Sequence, residues 1–430
     1  MARSAWRSRV FVSLSRRGSR RWLGRLAAGT ALALAASLLQ APFAAAPAHA
    51  APRPAAPARP ACPAQRPDET SAAIAAKLCR GRVEVTNRLS ETTQVWANPD
   101  GTLTAERHLA PVRVRQGDRW VPVDLTLQKL PDGSVAPKAH PVGLRLSAAV
   151  AEAGEHELVS LGSGDRQVGL GWVGRLPDPV LVGSTATYRD VLPDVDLVVA
   201  VHRTGYEQSF VVKSRAGLAQ VARLVLPVRS GKLAATPDGA GALVFKDKAG
   251  EEVGRTYPAE VWDAAVAPSS LEHVRRARVA VKATAAGAGR TNLELVPDAA
   301  FLARQDLQFP VTIDPPTSLN PVFDAFVQTD YASDQSGSVD LKLGYSDDGG
   351  TRTARSYLKF DTTGVWDQSV ISATLNLWEY HSWSCRLASW EARRTGDVGS
   401  WIRWTAQPAW YETLGTSSQT RGYSSSCADG

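Results

Sequence analysis

The chain has 430 residues, enough for more than one domain, and carries 49 Lys and Arg against 42 Asp and Glu. The basic excess is local: Arg3, Arg7, Arg9, Arg16, Arg17, Arg20, Arg21 and Arg25 stand before residue 26 with no acidic residue among them. Beyond residue 50 there are 41 basic and 42 acidic residues, so the body of the chain has no overall electrostatic reason to bind nucleic acid. Short clusters such as Arg275-Arg276-Ala277-Arg278 read as solvated surface.

In chain order, the basic start runs into an uncharged Ala/Leu stretch, Leu26 to Leu39, and then the triplet Ala48-His49-Ala50. That pattern predicts a cleaved signal peptide over 1–50, a secreted, extracellular mature chain beginning at Ala51, and no membrane attachment after cleavage. The apolar stretch is shorter than the roughly 20 residues of a membrane-spanning helix. Ser19-Arg20-Arg21 also hints at twin-arginine export. Residues 51–67 form a Pro/Ala-rich linker expected to stay extended. Asp68 to Cys79, with its alanines, Ile74 and Leu78, has helical spacing.

From Val83 the period becomes two. Val112 to Arg115, Trp120 to Leu127 and Gly143 to Ser147 alternate apolar with polar residues, as half-buried strands do. Pro-Asp-Gly turns punctuate them at 99–101, 131–133 and 237–239. Longer strands are expected at Val195 to Val201, Phe210 to Lys213 and Arg278 to Thr284. Pro315-Pro316 closes this β-rich region, 68–316. A second region, 317–430, offers Phe326 to Gln328, Val339 to Leu343, Tyr357 to Phe360 and Ile371 to Trp378 as strands. Seven of the thirteen tryptophans lie between Trp366 and Trp410. The fold class is all-β: a β-sandwich-like first region followed by a jelly-roll-like sandwich.

Four cysteines, Cys62, Cys79, Cys385 and Cys427, allow three pairings in an exported chain, and sequence proximity favours Cys62–Cys79 with Cys385–Cys427. No C-x2-C spacing suggests zinc. No His pair has metalloprotease spacing, and no Gly-x-Ser-x-Gly elbow exists. Gly169 to Gly174 spells G-x-G-x-x-G, but Pro177 and Pro179 forbid the helix a dinucleotide site needs. No cofactor is expected. Asp330, Asp334 and Asp340, with Asp347-Asp348 nearby, are the acidic cluster that could hold a structural calcium, though the spacing is not that of an EF-hand loop. The chemistry points to no catalytic residue, so the expectation is a non-enzymatic protein.

Trp96 to Gly101, Trp120 to Asp124, Tyr188 to Leu197 and Pro310 to Pro315 resemble the amino-terminal region of large secreted actinobacterial proteins that carry RHS repeats or LamG-like domains further along. Ala325 to Gln328, Leu341 to Gly344, Arg355 to Asp361, Ile371 to Leu377 and Trp404 to Pro408 resemble the DNRLRE module, carbohydrate-binding module family 96. In that module further strands follow the cysteine matching Cys427, so the resemblance implies a truncated copy or the front of a longer chain. It also implies two roles. One is contact with cell-wall or extracellular polysaccharide; the other is a structural export segment for downstream repeat domains.

Aromatic rings offer a place for such contact, because the apolar C–H faces of sugars pack on them. Along the strand from Ile371, the side chains of Ile371, Ala373, Leu375 and Leu377 share one face and those of Thr374, Asn376, Trp378 and Tyr380 the other. With the aliphatic face inward, Trp378, Tyr380 and Asn376, joined by Tyr357, are the expected platform. The competing reading packs that second face against another strand or the Cys385–Cys427 segment.

Overall fold

The computed structural model describes residues 4–17, 63–239, 241–267, 272–314, 316–319, 323–346, 351–363 and 369–430. Strands dominate both regions, in keeping with the alternating pattern. The one helix longer than four residues among those described, Glu69–Cys79, begins where the Asp68 side chain accepts from the Ser71 amide at 2.9 Å. It buries Ala72, Ala75 and Ala76 on Val83–Val85 and Thr93–Ala97. Ile74 and Leu78 point away, at 57% and 80% exposure. The helix docks through its alanines, whose small side chains let it lie close on the strands.

Most of the first region wraps around one core. Glu155–Leu161, Val168–Val173, Leu224–Arg229 and Arg290–Pro297 pair in sequence in one sheet. Thr185–Leu192, Val195–Val201, Gly205–Val212, Val311–Asp314 and Glu260–Trp262 do so in the other. The long strand Arg276–Gly287 belongs to both, pairing with Glu260–Trp262 at its start and Arg290–Pro297 along the rest. Period two decides what is inside: Val195, Leu197, Val199 and Val201 are buried and alternate with half-exposed Asp196, Val198 and Ala200. Tyr188 is fully buried among them, and its hydroxyl donates to the Ser147 carbonyl at 2.8 Å.

The Pro-Asp-Gly segments turn as their residues require. At Pro99 to Gly101 the glycine takes φ +82°, while Asp100 accepts from the Thr102 amide at 2.9 Å. The G-x-G-x-x-G segment runs along strand Val168–Val173 and ends at Gly174, just past it. No helix follows it, which removes the geometry a pyrophosphate would need.

The second region packs on the outward face of the first. Thr317–Leu319 pairs with Gly205–Val212 and Glu252–Thr256, so the chain leaves through the first region's own sheet. Gly205 is required there: a Cβ would lie 2.0 Å from the Thr317 carbonyl oxygen. Asp324–Gln328, Arg352–Leu358 and Leu341–Ser346 then form an antiparallel sheet. Trp390–Thr395 and Trp410–Ser417 make a separate hairpin. A disulfide joins Cys385 to Cys427, the pairing expected from proximity. Cys79 is disulfide-bonded as well; Cys62 lies outside the described residues.

Of the expected leader, the backbone of Ser4–Arg17 is described, as a strand between Thr102–His108 and Val370–Ser382. It links the strands of both regions into one nine-stranded sheet. Among the described strands it is the partner of Val370–Ser382, so a chain beginning at residue 51 leaves that 13-residue strand with open edges.

Candidate functional site

The four residues expected to form a platform do not share one surface. Leu375 and Leu377 pack with Leu109, Leu341, Leu358 and Phe360, so the middle of the aliphatic face is core. Ile371 overhangs that core at 53% exposure. Trp378, Tyr380 and Asn376 are half-buried. Asn376 makes a local contact from its Nδ2 to the Thr374 carbonyl at 3.4 Å. Tyr380 lines a groove between the two regions.

Tyr357 corrects the expectation. It is 5% exposed, in a small core with Ala325, Val327, Val398 and Ile402. Burial raises its phenol above the ordinary tyrosine value. Its strand offers one face to the segment around Val398 and Ile402, and Tyr357 lies on that face.

The same burial makes Tyr357 a support for an aromatic surface that the strand pattern did not reveal. Its hydroxyl donates to Gln407 Oε1 at 2.8 Å, and that oxygen also accepts from Arg355 Nη1 at 2.9 Å. Gln407 Nε2 donates to the Trp404 carbonyl at 2.7 Å. Gln407 thereby fixes Arg355, whose guanidinium lies 4.7 Å from the Trp404 ring centre and 4.4 Å from that of Trp410. Arg393 approaches the Trp410 ring as well, at 5.4 Å. Arg355 thus lies beside both Trp404 and Trp410, and Arg393 beside Trp410.

Trp410 remains 42% exposed, and its neighbour Tyr411, beneath Arg394 at 4.5 Å, is 47% exposed. Trp401, just before the stack in sequence, is 52% exposed. Glu391 and Glu412 pair with Arg393 and Arg394 at 2.6 and 2.7 Å and orient those guanidinium groups. Each exposed cation–π contact contributes about 0.5–1 kcal/mol. Their chief effect is to hold ring faces and planar N–H donors side by side. A sugar ring can lay its C–H face on such an indole while its hydroxyl or carboxylate oxygens accept from the arginines. The signal available in the sequence was the tryptophan density from 366 to 410; which of those rings reach the surface was not.

Two members of the acidic cluster are paired with arginine. Asp330 pairs with Arg352 at 2.8 Å and Arg276 at 3.8 Å, and Asp334 with Arg255 at 3.5 Å. Among the described residues no three acidic, His or Cys side chains gather as a metal site. Asp347 and Asp348 lie outside them.

Residues 315–424 match the family model of carbohydrate-binding module family 96. No curated protein matches the chain, and no solved structure does. A carbohydrate-binding-type module therefore occupies the second region, within an all-β protein whose first 314 residues lie outside the match.

Proposed function

We propose that this is a secreted, non-catalytic protein that attaches to cell-wall or extracellular polysaccharide through the surface formed by Trp410, Arg355, Arg393 and Trp404. The observation that carries this reading is a Trp410 ring, 42% exposed, with two guanidinium groups beside it, inside the segment that matches a carbohydrate-binding family. Arginine beside the rings favours polysaccharides that carry carboxylates or phosphates, because a guanidinium meets such groups with two parallel hydrogen bonds. Export is supported by the basic, apolar and small-residue order of residues 1–50.

Adsorption to insoluble polysaccharides, cell-wall sacculi included, tests the reading. Trp410→Ala should lose at least tenfold in affinity while its melting temperature stays close to that of the unmodified chain, since the ring is nearly half exposed. Equal adsorption by the variant and the unmodified chain would remove Trp410 from the site. Mass analysis of exported protein should find Ala51 at the amino terminus; an intact Met1 would mean an anchored protein and overturn the cleavage.

A further inference from the structure

A second site lies in the groove between the regions, which encloses about 390 Å³, a volume within the range of small-ligand pockets. Its floor is the outward face of the first region's sheet. Glu260 stands directly across from Asp314, and Trp262 from Thr312, so the carboxylates and the indole share one side. Glu207 comes from the adjacent strand Gly205–Val212 and shares a hydrogen bond with Asp314. The other wall belongs to the second region, with Tyr331, Tyr380 and Trp383. Arg276 stacks on Tyr331 at 3.3 Å, bringing a floor residue onto a ring of the facing wall.

Most acids around the groove are matched by cations. Glu272 takes Lys342 at 2.8 Å and Arg352 at 3.7 Å, Glu260 takes Arg276 at 3.9 Å, and Asp334 takes Arg255. The Glu207–Asp314 pair differs. The side chain facing it is His202, whose Nε2 lies 3.5 Å from Glu207. Among the described residues, neither carboxyl makes an ion pair with a lysine or arginine. One Asp314 oxygen, Oδ1, is buried with no hydrogen-bond partner.

Burial, with Glu207 and Glu260 beside it, raises the Asp314 carboxyl well above the ordinary aspartate range. Glu207 is half-buried, and His202 and Asp314 beside it hold it below its ordinary value. Asp314 thus holds its proton more readily than an ordinary aspartate, and neither member of the pair has the lysine or arginine partner that Glu260, Glu272 and Asp334 have.

We propose that this groove is a second saccharide site, built for an amino sugar whose ammonium group sits between Glu207 and Asp314 while its ring lies among Trp262, Tyr331 and Trp383. The ammonium replaces the Asp314 proton: Asp314 ionises, the proton leaves to solvent, and two carboxylates face one cation. Binding therefore releases a proton, and an N-acetylated ring, which has no ammonium, is bound weakly. The site is distinct from the Trp410 surface and does not depend on it.

Isothermal titration of the full chain with a glucosamine tetramer and with its N-acetylated counterpart, at pH 6.5 in two buffers of different ionisation enthalpy, tests this. The free amine form should bind at least tenfold more tightly, with a buffer-dependent enthalpy that reports proton release. Asp314→Asn should lose that preference, and Trp410→Ala should keep it. Equal binding of the two tetramers, or an enthalpy independent of buffer in the unmodified chain, would overturn the proposal without any variant. Loss of binding in Trp410→Ala alone would place the sugar on the exposed stack and overturn it too.

Discussion

Asp334 joins the two regions, and its replacement separates the effect of its charge from that of its shape. The carboxylate is 5% exposed and faces Arg255 at 3.5 Å and Arg403 at 3.9 Å, while Oδ1 accepts from the Ser336 amide at 3.0 Å. Arg255 has a tighter partner in Glu252, at 2.6 and 3.1 Å. Burial raises the Asp334 carboxyl above its ordinary value in spite of both arginines, so its ionisation in the fold is a net cost. Asp334→Asn keeps the acceptor for Ser336 and leaves Arg255 paired with Glu252, and should change stability by no more than about 1 kcal/mol. Asp334→Ala strands the Ser336 amide and removes buried volume, and should cost about 2–3 kcal/mol. Urea unfolding of the three full-length proteins, followed by tryptophan fluorescence, measures the difference. A raised folded-state value means the folded chain holds the proton more readily. The stability tied to Asp334 is thus present at low pH and lost as pH rises from 3.8 through the raised value. Subtracting the Asn variant from the unmodified chain should show that decline. If Asp334→Asn costs as much as Asp334→Ala, the ion pairs are net stabilising and the reasoning from burial is wrong.

Three further expectations follow from packing and protonation. Tyr188→Phe leaves the Ser147 carbonyl without its buried donor and should cost about 1–2 kcal/mol in chemical denaturation, with the ring packing kept. Gly205→Ala pushes a methyl group into the Thr317 carbonyl; it should destabilise by about 1–3 kcal/mol and speed amide exchange at Leu319, whose N–H bonds to the Thr204 carbonyl. His140 donates from Nε2 to the His202 carbonyl at 2.7 Å, and its Nδ1 is buried without a hydrogen-bond partner, so burial lowers the imidazole to about 4. The unfolded chain then takes up the proton first. Stability present above pH 6.5 is lost as pH falls towards 4, by up to about 3 kcal/mol from this residue. His140→Gln should remove that share of the slope, and an unchanged acid profile would count against the assignment.

Local chemistry was legible in the amino-acid order. Asp68 announces a helix because its carboxylate can satisfy an orphan amide, and the Pro-Asp-Gly triplets announce turns because of the backbone angles they accept. Alternation at Val195 to Val201 reports a strand with one buried face, and cysteine proximity favoured the Cys385–Cys427 bond. The tryptophan density after residue 366 marked the segment in which an aromatic surface would be found. These signals survive in sequence because each depends on residues a few positions apart, or on which side chains share a face.

What covers a face was settled only by the fold. Tyr357 sits in a core because Val398 and Ile402 come to it from more than 40 residues away, and Trp410 stays at the surface because Arg355 and Arg393 flank its ring without enclosing it. Ile74 and Leu78 look like a helix's buried stripe, yet the alanines bury because they permit a closer approach to the strands. The groove is assembled from Glu207, Trp262, Asp314, Tyr331 and Trp383, residues that no periodicity connects. Period fixes the side of a strand on which a residue lies; contact across the interior depends on long-range packing, and that is decided by the tertiary structure alone.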